Sequence, residues 1–168
     1  MRFPLLEPVM TMRMSAMLTA ALCALVLTAC ATGQSKRVSE PTASIQQLTV
    51  GADGNWTVEL RLQNYSNVPM RFDHVALQMH AGDVDVGQLA ADPALTIGPE
   101  AADVTTLHLT PSADARILVA GTLADRRSLN YSLEGTLSAA PKDRKAHDYR
   151  IKRKSALSPV PGLAGVMR

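Results

Sequence analysis

From Ile45 onward, apolar and polar residues alternate with period two over most of the chain, the spacing of strands with one buried face. Trp56, Val58, Leu60 and Leu62 alternate with Thr57, Glu59, Arg61 and Gln63. Asp53-Gly54-Asn55 before them is turn chemistry, so residues 45–50 and 56–62 are expected to form a hairpin. Asn64-Tyr65-Ser66-Asn67-Val68-Pro69 reads as a loop, and Pro69, which lacks an N–H, bars a central strand there. Phe72, Val75, Leu77 and Met79 resume an apolar face, with Ala76, Gln78 and His80 opposite. Gly82-Asp83 turns the chain into residues 84–90, where Val84, Val86 and, past a disturbance at Gly87, Leu89 face inward. Residues 91–101 hold the breakers Pro93, Gly98 and Pro99 and are expected as a loop with Leu95 and Ile97 tucked in. Thr105, Leu107 and Leu109 give the next strand.

After Pro111 the period changes. Ile117, Ala120, Leu123 and Ala124 recur at three and four, which predicts a helix over residues 113–124 with that set facing the core. Ser112 suits its N-cap, Asp114 its first turn, and Arg126 and Arg127 its last turn. Alternation returns over residues 130–138, with Tyr131, Leu133 and Leu137, and again over 147–154, with Tyr149 and Ile151 against Asp148, Arg150 and Lys152. A polar, charged connection over residues 140–146 separates the two, and residues 155–168 form a Pro/Gly-rich tail with Leu157, Val160, Leu163 and Val166. About seven short strands with one short helix predict a mainly β protein, an antiparallel β-sandwich.

The start of the chain has a different pattern. Arg2 and Arg13 precede an uncharged run over residues 16–29 that ends in Leu27-Thr28-Ala29-Cys30. That run is the length of a signal-peptide apolar region, short of the roughly 20 residues needed to cross a bilayer. The ending resembles a bacterial lipobox, which makes residues 1–29 a lipoprotein signal peptide and Cys30 the lipidation site. An ordinary signal peptide with Cys30 incidental is the plainer alternative. Each CH₂ of a buried acyl chain adds about 0.8 kcal/mol, so several chains on Cys30 would hold the protein on membrane lipid. Ala31 stands where an aspartate would signal inner-membrane retention, which implies an outer-membrane lipoprotein facing the periplasm. Residues 30–43 carry almost nothing to bury and read as a flexible tether ahead of a domain over 44–154.

Charge is divided along the chain. Residues 30–141 hold 7 Lys/Arg against 12 Asp/Glu, whereas residues 142–168 hold 8 against 2. Both cysteines, Cys23 and Cys30, belong to the leader or its cleavage site, so the processed chain has no thiol for a disulfide, a nucleophile or a thiolate metal site.

The stretch Trp56 to Val75, with the alternating strand running into Asn64-Tyr65-Ser66 and a second strand after Pro69, resembles the late-embryogenesis-abundant type 2 family, also called the water-stress and hypersensitive-response (WHy) domain. The order continues with Val86-Gly87-Gln88-Leu89, Ile97-Gly98-Pro99 before an alternating strand, and Tyr131-Ser-Leu133-Glu-Gly135. The likeness covers about residues 44–154. The family's Asn-Pro-Asn is reduced here to Asn64 with Tyr and Ser following, which makes Asn64 and Pro69 the motif-loop positions. The resemblance implies an immunoglobulin/fibronectin-III-like sandwich and a protective role under desiccation or other stress, without catalysis or cofactor. A structural or assembly lipoprotein docking on an envelope complex is the alternative.

No pattern points to catalysis. His74, His80, His108 and His147 are scattered without the partners a zinc site needs and read as surface residues. Asp83 and Asp85 beside a Gly turn read as a solvated edge, and Ser112, Ser128 and Ser155 lack a nucleophile elbow or matched base. Trp56 reads as core or rim. The basic run through Lys142, Arg144, Lys145, Arg150, Lys152, Arg153 and Lys154 has two readings. One is an edge strand whose charges discourage pairing. The other makes Arg150, Lys152, Arg153 and Lys154 a contact for an anionic headgroup or an acidic envelope protein. Nucleic acid is not expected as a partner of an exported chain.

Overall fold

In the structure, a computed structural model that describes residues 35–168, two antiparallel sheets pack face to face. The expected leader, Cys30 and the first residues of the expected tether lie outside the described residues. The first sheet has the order β6 (Ala102–Leu109), β2 (Trp56–Gln63), β1 (Thr42–Val50), β9 (Val166–Met167). The second has the order β4 (Val84–Ala91), β3 (Met70–Ala81), β7 (Leu129–Pro141), β8 (His147–Leu157), with β5 (Leu95–Ile97) pairing the start of β3. Seven long strands make the expected β-sandwich, and β5 and β9 are short additions to it.

The core follows the period-two sets. Trp56, Val58, Leu60 and Leu62 of β2 face Phe72, Val75, Leu77 and Met79 of β3 and Leu133 and Leu137 of β7 across the layer, all buried. Each such side chain contributes about 1.5–3 kcal/mol over an exposed one. Alternation on β3 is broken between Phe72 and Val75, where the pairing with β7 slips by one residue at a bulge. A second bulge sets Met79 opposite Gly87 and His80 opposite Asp85, which is the disturbance seen at Gly87. Gly135 on β7 lies against the backbone of β3, where a Cβ would collide with the Ala76 carbonyl and stand 3.0 Å from Leu77 Cα. At the open edges β1 lies beside β8 and β4 beside β6. The Tyr131 hydroxyl bridges the layers by accepting from the Ile45 N–H at 3.1 Å.

The helix α1 (Ala113–Ala124) has the expected span and cap but not the expected face. Ser112 accepts from the Ala115 N–H at 3.2 Å and donates to the Asp85 carbonyl at 2.6 Å, while its own N–H bonds Val86 O at 3.1 Å, which ties the helix start to β4. The buried side is Ala115, Val119 and Thr122, and Ile117 is 73% exposed. Two sets share helical spacing, and the bonds of Ser112 to β4 fix which of them faces the sheet. Thr122 is tolerated there because its hydroxyl donates to Leu118 O at 2.8 Å. Arg126 and Arg127 lie past the helix, whose last turn has no basic residue. Arg126 adopts a left-handed φ of 54° and its N–H reaches Leu123 O at 3.1 Å, while the Arg127 N–H reaches Thr122 O at 3.0 Å, closing the helix as a Schellman motif.

The ends of the domain extend past the expected limits. Ala43 is fully buried in β1, and Arg37 and Ser39 are bonded to neighbouring loops, so the stretch read as tether is docked from residue 37. Its polar residues bury little themselves but use their backbone groups as partners for loop groups. The tail is a hairpin. Val160 N–H bonds Val166 O at 2.9 Å, Ser158 and Arg168 exchange bonds, and Gly162 and Gly165 take left-handed φ values that L side chains disfavour. Met167 pairs Leu48 and is completely buried, so the hairpin covers part of the β1 edge.

Candidate functional site

Asn64 is the most heavily bonded polar side chain described. It is completely buried at the end of β2, where its N–H bonds Ala101 O at 2.9 Å. Its Nδ2 donates to Gly98 O at 2.8 Å, Val68 O at 2.9 Å and, as a shared bond, Ile97 O at 3.2 Å. Its Oδ1 accepts from the Ser66 N–H at 2.8 Å. One amide thus holds the β2–β3 loop to the β5–β6 loop. Ser66, also buried, continues the network: its Oγ accepts from the Ser39 N–H at 3.0 Å and donates to Ser39 O at 3.2 Å, and its carbonyl accepts from the Glu100 N–H at 3.0 Å. Pro69 is half-buried and accepts at its carbonyl from the Lys142 N–H at 2.9 Å.

These bonds gather four chain segments at one pole of the sandwich: residues 36–41, the β2–β3 loop, the β5–β6 loop and the β7–β8 loop. Arg37 N–H donates to Asn67 Oδ1 at 2.7 Å and its guanidinium to Glu100 at 2.8 Å, and Lys36 lies 3.7 Å from Asp143. Lys142, Arg144 and Lys145 of the β7–β8 loop are exposed and form no ion pair among the described residues. Tyr65 stands 47% exposed in the same pole. Tyr149 lies just above, stacked edge-on with His147 at 5.0 Å. Partial burial, and then the Glu40 carboxylate, raise its phenol's pKa, against the opposing pull of Arg144. The spacing of residues along the sequence does not show this pole, because Lys36 and Arg37 sit in the stretch read as tether. The loop position of Asn64 was the available signal.

The basic run is split by the strand. Arg150, Lys152 and Lys154 alternate with Ile151 and so share the outer face of β8, beside Thr136, Glu134 and Ser132 of β7. Lys152 lies 3.4 Å from Glu134. Arg153 falls on the opposite face, the side of Ile151 and Leu157, and lines a shallow groove of about 210 Å³ with Glu40 and Pro41. The outer edge of β8 is hydrogen-bonded to no strand among the described residues, although the start of β1 lies beside it.

The remaining candidates are separated. His74 Nδ1 is 2.6 Å from Asp92, His108 is 3.4 Å from Thr57 Oγ1, and His80 is on the outer face of β3. Among the described residues no three His, Cys, Asp or Glu side chains converge as a metal site. Asp85 accepts from the Gln78 amide, and Asp83 lies in the β3–β4 turn. Ser128 pairs with Ser158 at 2.9 Å, Ser112 is the helix cap, and Trp56 is core. Asp53 bonds the side chain and N–H of Asn55, which lowers its pKa and stiffens the β1–β2 turn.

No family model and no curated protein matches the chain. Among solved structures it is similar to a protein from Archaeoglobus fulgidus at 14% identity, over 74% of this chain and 98% of that one, with a TM-score of 0.44. An Arabidopsis thaliana protein is similar at 10% identity over 74% of this chain and 79% of its own, with a TM-score of 0.45. A third, provisionally assigned to the late embryogenesis abundant (LEA) proteins, is similar at 11% identity over 95% and 94%, with a TM-score of 0.43.

Proposed function

We propose that the protein is an exported lipoprotein, held by an acylated Cys30 on the periplasmic face of the outer membrane, whose sandwich is a non-catalytic stress-protective module of the LEA type 2 kind. The observation that carries the family reading is Asn64. It lies at the place where the family's motif puts its first Asn, and it ties the motif loop to the Ile97-Gly98-Pro99 segment, the next motif in the order. The replacement of the motif's last Asn by Ser66 is accommodated, since Ser66 keeps that loop bonded to Ser39 and to residue 100. The anchor reading is supported by the leader ending in Leu27-Thr28-Ala29-Cys30 and by an ordered domain that starts a few residues after it. A second reading, an assembly lipoprotein that docks on an envelope complex, is favoured by the row of cations on the exposed outer face of β8, whose edge is hydrogen-bonded to no strand among the described residues.

Survival after drying separates these readings. A deletion strain is expected to lose viability relative to the parent, and a Cys30→Ala strain to release the protein from the membrane fraction and to lose the same protection. Equal survival of all three strains would remove the protective role. Cys30→Ala protein still fractionating with membranes would remove the anchor. Recovery of a stoichiometric envelope partner after mild crosslinking, with survival unchanged, would favour assembly.

A further inference from the structure

The pole that gathers residues 36–41 is where the ordered domain receives the chain from Cys30, and its surface chemistry differs from that of the opposite pole. Lys142, Arg144 and Lys145 project there without ion-pair partners among the described residues, next to Lys36 and Arg37. Tyr65, an amphipathic ring of the type that settles at headgroup depth, is exposed in the β2–β3 loop of the same pole. At the other pole the β1–β2 turn, the β3–β4 turn and the start of α1 carry Asp53, Asp83 and Asp114, but Arg116 lies beside the β1–β2 turn, Asp125 is paired with Arg127, and Arg126 is exposed next to them. The tethered end therefore holds three exposed cations in one loop with no ion-pair partner among the described residues, while charges of both signs are interleaved at the far end. An anionic bilayer surface attracts the first, and the interleaved charges of the second largely cancel, within a screening length of about 8 Å at physiological salt.

We propose that this pole is a membrane-docking face, in which Lys142, Arg144 and Lys145 meet anionic phospholipid headgroups and Tyr65 enters the interface, so that the sandwich stands on end. The docking deepens the anchored reading and rests on it for the direction in which the tether runs. Arg150, Lys152 and Lys154 climb the outer face of β8 away from the pole and stay lateral. Each cation held near an anionic surface strengthens its association by about fivefold. The loop's three free cations thus decide between an upright domain and one tumbling on its tether.

The test uses the full-length protein, purified from membranes and reconstituted in vesicles, with a single introduced cysteine labelled at Ala146→Cys beside the pole or Leu163→Cys in the far hairpin. Both positions are exposed. Quenching by a headgroup nitroxide lipid is read in phosphatidylcholine vesicles with and without phosphatidylglycerol. The expected result is several-fold stronger quenching at position 146 than at 163 in anionic vesicles. The contrast should fall in neutral vesicles, at high salt, and in a Lys142→Glu, Arg144→Glu, Lys145→Glu variant whose circular dichroism is unchanged. Equal quenching at both positions in anionic vesicles at low salt overturns the proposal. The salt titration of the unaltered pole decides the matter even where the triple variant misfolds, since a salt-independent contrast also overturns it. Amino-terminal mass is measured on the same sample. Should it show an unmodified terminus, the anchor reading fails separately. Sedimentation of that protein with anionic but not neutral vesicles then upholds the docking face, and sedimentation with neither rejects it.

Discussion

Asn64 shows how one side chain can hold a loop in place of regular pairing. The β2–β3 loop cannot join a sheet through Pro69, so its carbonyls and those of the β5–β6 loop take their donors from a buried amide. Removing that amide leaves buried groups of Val68, Gly98 and Ser66 without partners, each with its own desolvation penalty. Asn64→Ala is expected to lower unfolding free energy by about 2–4 kcal/mol in urea titration. Asn64→Asp should be no better, because a carboxylate keeps the bond from Ser66 but turns charge toward three carbonyls. A loss below about 1 kcal/mol for both variants would show the network to be dispensable. Asn64 and Pro69 were legible as loop residues from turn chemistry. That Asn64 is buried was not, since two of its acceptors, the carbonyls of Ile97 and Gly98, lie more than thirty residues away in sequence.

At the scale of elements, period-two alternation located the long strands, because a strand between water and core has its two faces set by composition alone. The helix was legible in span and cap but not in orientation. Ile117 is the most apolar residue of its segment yet points to solvent, while Ala115 and Val119 pack inward. Ile117→Ala should therefore change stability by less than about 0.5 kcal/mol, whereas Val119→Ala, which opens a cavity, should cost about 1–3 kcal/mol. Thermal melts of the two variants check this, and a reversed ranking would mean the helix is rotated from its described position. The C-terminal hairpin was hidden for a related reason. Its Pro and Gly content signals irregular chain, while the feature that orders it, Met167 beside Leu48, is a contact between opposite ends of the domain.

At the scale of the whole molecule, residues 36–168 form one compact unit with a single continuous core drawn from both sheets. The Tyr131–Ile45 bond and the docked hairpin join the layers at one edge, so neither sheet has a core of its own. Unfolding should be a single cooperative transition. Trp56, the chain's one tryptophan, is buried in β2 and reports tertiary packing, while far-ultraviolet circular dichroism reports the strands. Their urea midpoints are expected to coincide. Separated midpoints would mean the sheets unfold independently. The same scale decides the electrostatics: a chain whose net charge is only +2 folds with Lys142, Arg144 and Lys145 exposed at the pole where residues 36–41 enter the domain.

By itself the sequence determined the seven long strands, the helix span with its Ser112 cap, and the sandwich class, but not the short β5 and β9, because the former follow from local periodicity and from the backbone preferences of Gly, Pro, Asn and Ser. The proposed leader and lipidation of Cys30 rest on local signals as well. Only the tertiary structure decided which helical face is buried, that Asn64 links two distant loops, that residues 158–168 close on β1, and that Lys36, Arg37, Lys142, Arg144 and Lys145 share a pole. Each of these depends on which distant segments come into contact. Period and composition constrain a residue's own surroundings but carry no information about its partner across the fold.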